Sequence, residues 1–126
     1  TQVRETVTIE DTGLPQQAAL FETLHAETGS PPPVLDSKDV LCDPRKLLTL
    51  LCDAVGIEFS SAMLSWPPGP RPTDGVWSKH WYGSVTGSTG FVEYRPKQVE
   101  LTDSLEALAG QCAPYYRQLH AHRLGR

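Results

Sequence analysis

The side chains most able to do chemistry are concentrated in the segment GPRPTDGVWSKHWYGSV, residues 69–85. Its potential ligands for an anion are Arg71, Lys79 and His80. Its flat aromatic side chains, which can stack on a base or a sugar, are Trp77, Trp81 and Tyr82. Gly75 and Gly83 lie beside them and allow a close approach to the backbone. Together these residues indicate a site for the phosphate and base of a nucleotide.

The spacing of the tryptophans supports a second interpretation of the same segment. Trp77 and Trp81 are four positions apart, which predicts that they share one face of a helix beginning near Val76. The N-terminus of such a helix would direct unpaired N–H groups towards an anion. Aromatic residues at this spacing also commonly cover a hydrophobic core, in which case Lys79 points into water. The sequence leaves both interpretations open.

Three other features carry weaker signals. Thr86–Gly90 contains small residues that suit a phosphate loop, but it lacks the Gly-Lys-Ser/Thr ending of a P-loop and is typical of a flexible turn. His120 and His122 are two positions apart, so on a helix their side chains diverge by about 200° and do not share a metal. Asp36 closes a short strand, where a turn or capping role competes with a place in a pocket.

Composition excludes several classes of protein. The chain has 126 residues and a net charge of −4, which suits one domain and argues against binding to nucleic acid. No apolar run approaches the ~20 residues of a membrane span, so we expect no membrane association. The three cysteines have no metal-type spacing, and we expect free thiols, no bound metal and a cytoplasmic location.

The elements that must position the candidate site are mostly helices. The first predicted helix begins at Leu14, has an apolar face that includes Ala18 and Phe21, and ends at Thr28–Gly29. The second begins at Pro44 with Asp43 as its cap and stops at Gly56. The third begins at about Asp103 with Thr102 as its cap.

Pro114 should kink or split the third helix, and the basic ending from His120 suits a helix C-terminus. Residues 34–36 form the one good strand, and residues 39–41 are expected to form a turn. Since one strand cannot form a sheet, we expect an α/β protein whose other strands lie outside this chain.

Three stretches of the sequence resemble one family. VLDSKDVLCDPRKLLTLLCDAVGIEFSSAML, residues 34–64, looks like the C-terminal strand–helix segment of P-loop sulfotransferases. SWPPGPRPTDGVWSKHWYGSVTGSTGF, residues 65–91, is similar to the matching region of a bacterial sulfotransferase-like branch, and residues 107–124 resemble its closing helix. The resemblance implies an α/β fold of the P-loop sulfotransferase type, mostly α-helical in this chain with one or two short strands.

The resemblance also implies a reaction, namely transfer of a sulfuryl group from phosphoadenosine phosphosulfate (PAPS) to a hydroxyl or amine of a small-molecule acceptor. Gly75–Lys79 stands where the family has a Gly-Asp-Trp-Lys loop that closes over the nucleotide. Trp77 matches the tryptophan, Lys79 is displaced by one position, and Val76 replaces the aspartate. The implied donor-binding residues are Arg71, Trp77 and Lys79. The implied acceptor-binding residues are Trp66, His80, Trp81 and Tyr82.

The sequence lacks elements on which the family's activity depends. It contains no Gly-rich P-loop with a lysine and no R-D-P…S element for the 3′-phosphate. Residues 1–126 are therefore interpreted as a single C-terminal sulfotransferase-like segment without the donor-binding half, nearly inactive by itself. Its expected partners are that missing N-terminal half or a second copy of the chain.

Two other functions stay open at this point. Tryptophan, tyrosine and arginine dominate protein–protein interfaces, so the same side chains also suit a non-catalytic helical interaction module. A P-loop kinase-like relative that transfers phosphate fits equally well, because the residues that discriminate it from a sulfotransferase would lie upstream.

Overall fold

The computed structural model describes residues 6–126, and this range is mostly helical. The helices in chain order are α1 (Leu14–Thr28), α2 (Ser37–Cys42), α3 (Pro44–Val55), α4 (Ser78–Trp81), α5 (Gly83–Thr86) and α6 (Asp103–His120), with short 3₁₀ turns at Glu10–Thr12 and Ser61–Met63. The chain forms two compact units. The terminal unit contains the chain up to Asp36 together with Pro96–Arg126, and the central unit contains Ser37–Arg95.

The terminal unit is held together by packing between α1 and α6. Ala18 and Phe21 on α1 and Leu119 on α6 are buried. At the edge of this contact, the Gln118 side-chain amide donates a 2.8 Å hydrogen bond to a carboxylate oxygen of Glu22. Because Ala18 and Phe21 are three positions apart, they lie on the same face of α1, which is the apolar face that the sequence predicts.

Both ends of α1 lie where the sequence predicts them. Pro15 occupies the first turn, where a missing N–H leaves no helical hydrogen bond unmade. Gly29 follows the last residue of the helix with a φ of 74°, a left-handed conformation that glycine adopts without steric cost. Its N–H donates to the carbonyl oxygen of His25 and so completes the final turn.

The predicted strand is present as an isolated β-bridge. Val34 pairs in parallel with Arg123, and the Leu124 N–H donates a 2.8 Å hydrogen bond to the Val34 carbonyl. The expectation that the basic ending forms the end of the last helix is therefore wrong beyond His120, where α6 stops and the chain turns towards Val34. Within residues 6–126 the strand forms this one bridge at Val34, and the expectation that its other strand neighbours lie outside this chain stays a prediction.

Asp36, two residues after Val34, links the strand to α6. Its carboxylate accepts a hydrogen bond from the Tyr116 hydroxyl and lies 3.5 Å from Nε2 of His120. Arg123 Nη1 lies 3.1 Å from Nδ1 of the same imidazole. The Asp36 side chain is only 10% exposed, and a carboxylate with so little access to water needs such partners. We refer to Asp36, Tyr116 and His120 as the Asp36 cluster.

The central unit contains one helix that the sequence did not predict. Residues 39–41, expected as a turn, lie within α2, which packs against α3. The three residues are too few to show a helical period, so the contact with α3, rather than local sequence, decides their conformation. Leu47 and Cys52 on α3 are buried, and Cys52 Sγ lies 3.9 Å from the Met63 sulfur.

Both ends of α3 follow from local sequence signals. An Asp43 carboxylate oxygen accepts a 3.1 Å hydrogen bond from the Lys46 N–H and caps the first turn. Gly56 follows Val55 with a φ of 77° and donates its N–H to the carbonyl of Cys52. The predicted cap and stop are therefore confirmed.

The described residues agree with the expectation of a mostly helical chain with very little strand. Pro114 lies inside α6, which is continuous from Asp103 to His120, so the proline does not split the helix. Within residues 6–126, no helix is both long and apolar enough to cross a bilayer. The α/β architecture implied for the whole protein stays a prediction.

The Asp36 cluster gives a test of what holds the terminal unit. Replacing Tyr116 by Phe keeps the ring and removes the hydroxyl that donates to Asp36. We expect the free energy of unfolding to fall by about 1–2 kcal/mol, since the lost bond has a charged acceptor. Urea unfolding followed by far-UV circular dichroism measures the change. Tyr115→Phe, whose hydroxyl has no hydrogen-bond partner within the described range, is the control, and equal midpoints for the two variants would contradict this role.

Candidate functional site

The predicted site residues all belong to the central unit, within residues 65–91. The two ends of this segment are joined by an antiparallel bridge between Ser65 and Gly90. The backbone N–H of Trp66 donates a 2.9 Å hydrogen bond to the Thr89 carbonyl. A Cβ atom on Gly90 would lie 3.0 Å from the Leu64 carbonyl oxygen, so the close approach of the two strands favours glycine here. The segment is thus a closed loop with a fixed base.

Trp66 anchors the base of this loop. Its side chain is half-buried, and its indole Nε1–H donates a 2.9 Å hydrogen bond to the Ser88 hydroxyl, which in turn donates to the Val85 carbonyl. The Phe91 ring meets the indole edge-on, with 5.6 Å between ring centroids. The sequence indicates that Trp66 wants burial, but it gives no signal for Ser88, which lies 22 positions away in a stretch expected to be a flexible turn.

Arg71 makes hydrogen bonds to its own loop. Its Nη1 donates to the Gly69 carbonyl at 3.2 Å and its Nη2 to the Pro67 carbonyl at 2.7 Å. Its backbone N–H donates to a carboxylate oxygen of Asp74 at 2.8 Å. The residue predicted as an anion ligand therefore already has two oxygen acceptors for its guanidinium group.

The helix predicted from Val76 is shorter than expected and is interrupted. Trp77 lies at the N-cap of α4, which ends at Trp81, and Tyr82 separates α4 from α5. Gly83 favours this break, because glycine is a poor helix former. The two four-residue helices that result gain little from cooperativity. A helix of four residues has too few aligned peptide dipoles to form an anion site at its N-terminus. The prediction of such a site near Val76 is therefore wrong.

We name residues 75–82 the basic–aromatic segment, and its described side chains face solvent apart from the half-buried Ser78. Trp77 is 64% exposed and Tyr82 is 37% exposed. Lys79 and His80 are also exposed. The interpretation of Trp77 as a residue that covers the core is therefore wrong. The side chain of Trp81 lies outside the described part of the structure.

Asp36 and the last two histidines belong to the terminal unit and have their own surroundings there. The His122 ring lies against Phe21 and His25, whereas His120 belongs to the Asp36 cluster. Among residues 6–126, no three His, Cys, Asp or Glu side chains are grouped as a metal site requires. The cysteines at positions 42, 52 and 112 are free.

Comparison with known proteins identifies the family. The model of the sulfotransferase domain matches residues 1–123. The chain therefore belongs to the sulfotransferase domain family, as its resemblance implies.

Two curated proteins of Arabidopsis thaliana are similar to the chain. Branched-chain-amino-acid aminotransferase-like protein 1 is 38% identical over 112 residues, and branched-chain-amino-acid aminotransferase-like protein 2 is 36% identical over 112 residues. Each match covers 87% of this chain and 20% of the relative, so the chain spans about one fifth of the relatives' length. No solved structure matches.

The hydrogen bonds of Ser88 give a test of the closed loop. Ser88→Ala removes the acceptor of the Trp66 indole N–H and leaves that half-buried donor unpaired. We expect the free energy of unfolding to fall by about 1–2 kcal/mol. Urea unfolding followed by tryptophan fluorescence measures it, with Ser84→Ala, an exposed serine of α5, as the matched control. A Ser88→Ala midpoint equal to that of the control would show that this hydrogen bond does not hold the loop.

Proposed function

We propose that this chain forms the nucleotide-closing and acceptor-side part of a PAPS-dependent sulfotransferase. The observation that carries the proposal is the match of the sulfotransferase domain to residues 1–123. It is supported by the exposure of the basic–aromatic segment, since a loop that closes over a ligand must present its side chains to solvent when empty. Membership of the sulfotransferase domain family supports transfer of a sulfuryl group rather than of phosphate.

Lys79 and Trp77 are the proposed contacts with the donor nucleotide. The Lys79 ammonium is exposed and has no ion pair in the described part of the chain, so it is available for a phosphate or sulfate oxygen. The exposed Trp77 ring is available to stack on the adenine. Both side chains fit the chemistry of an anionic nucleotide. The gain in binding comes from pairing a lysine with phosphate and from burying an aromatic surface.

The acceptor is proposed to meet the remaining predicted residues, Trp66, His80, Trp81 and Tyr82. A small hydroxyl or amine compound suits a wall of aromatic side chains with few polar groups. Trp66 presents only part of its ring, because its indole N–H and one edge are engaged with Ser88 and Phe91. We therefore propose that Trp66 supports the wall.

The reaction needs positioning and charge stabilisation more than covalent chemistry. The bond between sulfur and the donor's phosphate oxygen breaks, a bond from sulfur to the acceptor oxygen or nitrogen forms, and the acceptor's proton passes to a base. Cationic groups near the leaving phosphate stabilise the charge that develops on it. Lys79 is the residue of this chain proposed for that role, and we assign no catalytic base among residues 1–126.

The donor-binding half is the proposed partner of this chain. Residues 1–126 contain neither a P-loop lysine nor an R-D-P…S element, so we propose that those groups lie outside this segment. Exposed apolar side chains such as Leu20, Leu101 and Leu105 in the terminal unit support further packing. Self-association is the alternative use of such surface. The free cysteines suit a reducing compartment, and we propose the cytoplasm.

A non-catalytic interaction module is the second candidate function. It is favoured by the exposure of Val76 (79%) and Trp77 (64%), because adjacent exposed apolar side chains are typical of interface anchors. The two candidates differ in ligand, since a nucleotide site needs Lys79 and an apolar interface does not.

Nucleotide binding provides the test of the proposed function. We expect adenosine 3′,5′-bisphosphate, the desulfated donor, to bind the chain saturably in titration calorimetry. Lys79→Ala and Trp77→Ala should each weaken binding by about tenfold, the loss of one charged contact or one stacked ring. Lys46→Ala, which removes another exposed lysine of the central unit, is the control. Absence of binding, together with dimers in light scattering, would favour the interaction module.

A second test concerns turnover. We expect the purified 126-residue chain to transfer little or no radiolabelled sulfate from PAPS to hydroxyl or amine acceptors, because one proposed lysine cannot balance the charge of the donor. Turnover comparable to that of an intact sulfotransferase would contradict the assignment of the donor-binding groups to a region outside residues 1–126.

A further inference from the structure

The stretch from Pro67 to Pro72 is unusually poor in hydrogen-bond donors. Four of its six residues are prolines, so only Gly69 and Arg71 have a backbone N–H. Both are used: the Gly69 N–H donates to the Thr86 carbonyl at 2.7 Å, and the Arg71 N–H donates to Asp74. The Arg71 carbonyl accepts from the backbone N–H of Asp74, whereas the Pro67 and Gly69 carbonyls accept from a side chain.

The Arg71 guanidinium provides those donors. Its two terminal nitrogens reach the carbonyls of Pro67 and Gly69, four and two positions earlier in the chain. A planar guanidinium can donate to two acceptors at fixed angles, whereas a lysine ammonium has no such fixed arrangement. Gly69 has a φ of 114°, a conformation that other residues rarely adopt, so a hydrogen bond to its carbonyl holds the chain where it is least restrained.

This arrangement connects Arg71 to both sides of the loop. The Gly69 N–H is hydrogen-bonded to the carbonyl of Thr86, the last residue of α5, and Asp74 directly precedes the basic–aromatic segment. We infer that Arg71 is a positioning residue: it holds residues 67–74 in the conformation that presents Trp77 and Lys79, and it does not itself contact the anion. This assignment departs from the sequence prediction that Arg71 is a nucleotide ligand. The statement that Arg71 does not contact the anion rests on the proposed function, whereas the statement that it holds residues 67–74 does not.

The positioning role is tested without any ligand by amide hydrogen exchange in NMR. Arg71→Met removes both side-chain donors and keeps most of the apolar stem. We expect exchange of the Gly69 and Trp66 amides to become roughly tenfold faster, while amides of α1 and α6 are unchanged. Arg45→Met, the same change at an exposed arginine of the central unit, should leave the Gly69 amide as it is in the parent chain. Unchanged exchange in Arg71→Met, or an unprotected Gly69 amide in the parent chain, would overturn the inference.

The salt dependence of nucleotide binding separates positioning from contact. If Arg71 acts only by position, Arg71→Met weakens binding of adenosine 3′,5′-bisphosphate by a similar factor at low and high salt. Lys79→Ala, in contrast, should lessen the dependence of affinity on salt, because it removes an ionic contact that salt screens. A lessened salt dependence in Arg71→Met would show that the guanidinium contacts the anion. If the parent chain binds no nucleotide, the proposed function fails, and the exchange experiment still decides the positioning role.

Discussion

Four prolines between Pro67 and Pro72 leave this part of the chain with two backbone N–H groups, and the candidate site depends on how that shortage is met. A loop of this kind cannot be held by a regular backbone ladder, since proline has no donor. Side chains therefore donate the hydrogen bonds that hold the loop: Arg71 donates to two carbonyls, and the Trp66 indole donates to Ser88. The Trp66–Ser88 bond holds the base of the loop, and the two Arg71 bonds hold residues 67–71. They allow the basic–aromatic segment to remain exposed without an extended helix to support it.

The terminal unit shows a related dependence on polar contacts. Its described apolar core is small, with Ala18, Phe21 and Leu119 as the buried side chains. The Asp36 cluster adds the Tyr116–Asp36 hydrogen bond and a 3.5 Å contact between Asp36 and His120, and both join the strand end to α6. A small core gains a modest stabilisation from burial, so such a polar contact is a considerable fraction of the total. The contacts of Asp36 therefore hold the end of the strand against α6, in addition to the single β-bridge at Val34.

Family membership and the structure describe the protein at different levels. The sulfotransferase domain match covers almost the whole chain and defines the class of protein. The Arabidopsis relatives extend far beyond the matched region, and their names describe aminotransferase-like proteins, so they add nothing about the chemistry of this segment. The structure adds a distinction within residues 65–91: the side chains of Trp66 and Arg71 have hydrogen-bond partners inside the loop, whereas Lys79 is exposed.

Local sequence signals were sufficient for α1, α3 and the start of α6. Proline in the first turn, an Asp or Thr cap and a glycine stop each act within a few residues, so Asp43, Gly56 and Thr102 could be interpreted without knowing the fold. The basic and aromatic content of the site was equally evident from composition. Tertiary structure alone decided the rest, because the partners are far apart in the chain. Tyr116 bonds to a residue 80 positions earlier and Ser88 to one 22 positions earlier, and no local pattern encodes a contact at such distances.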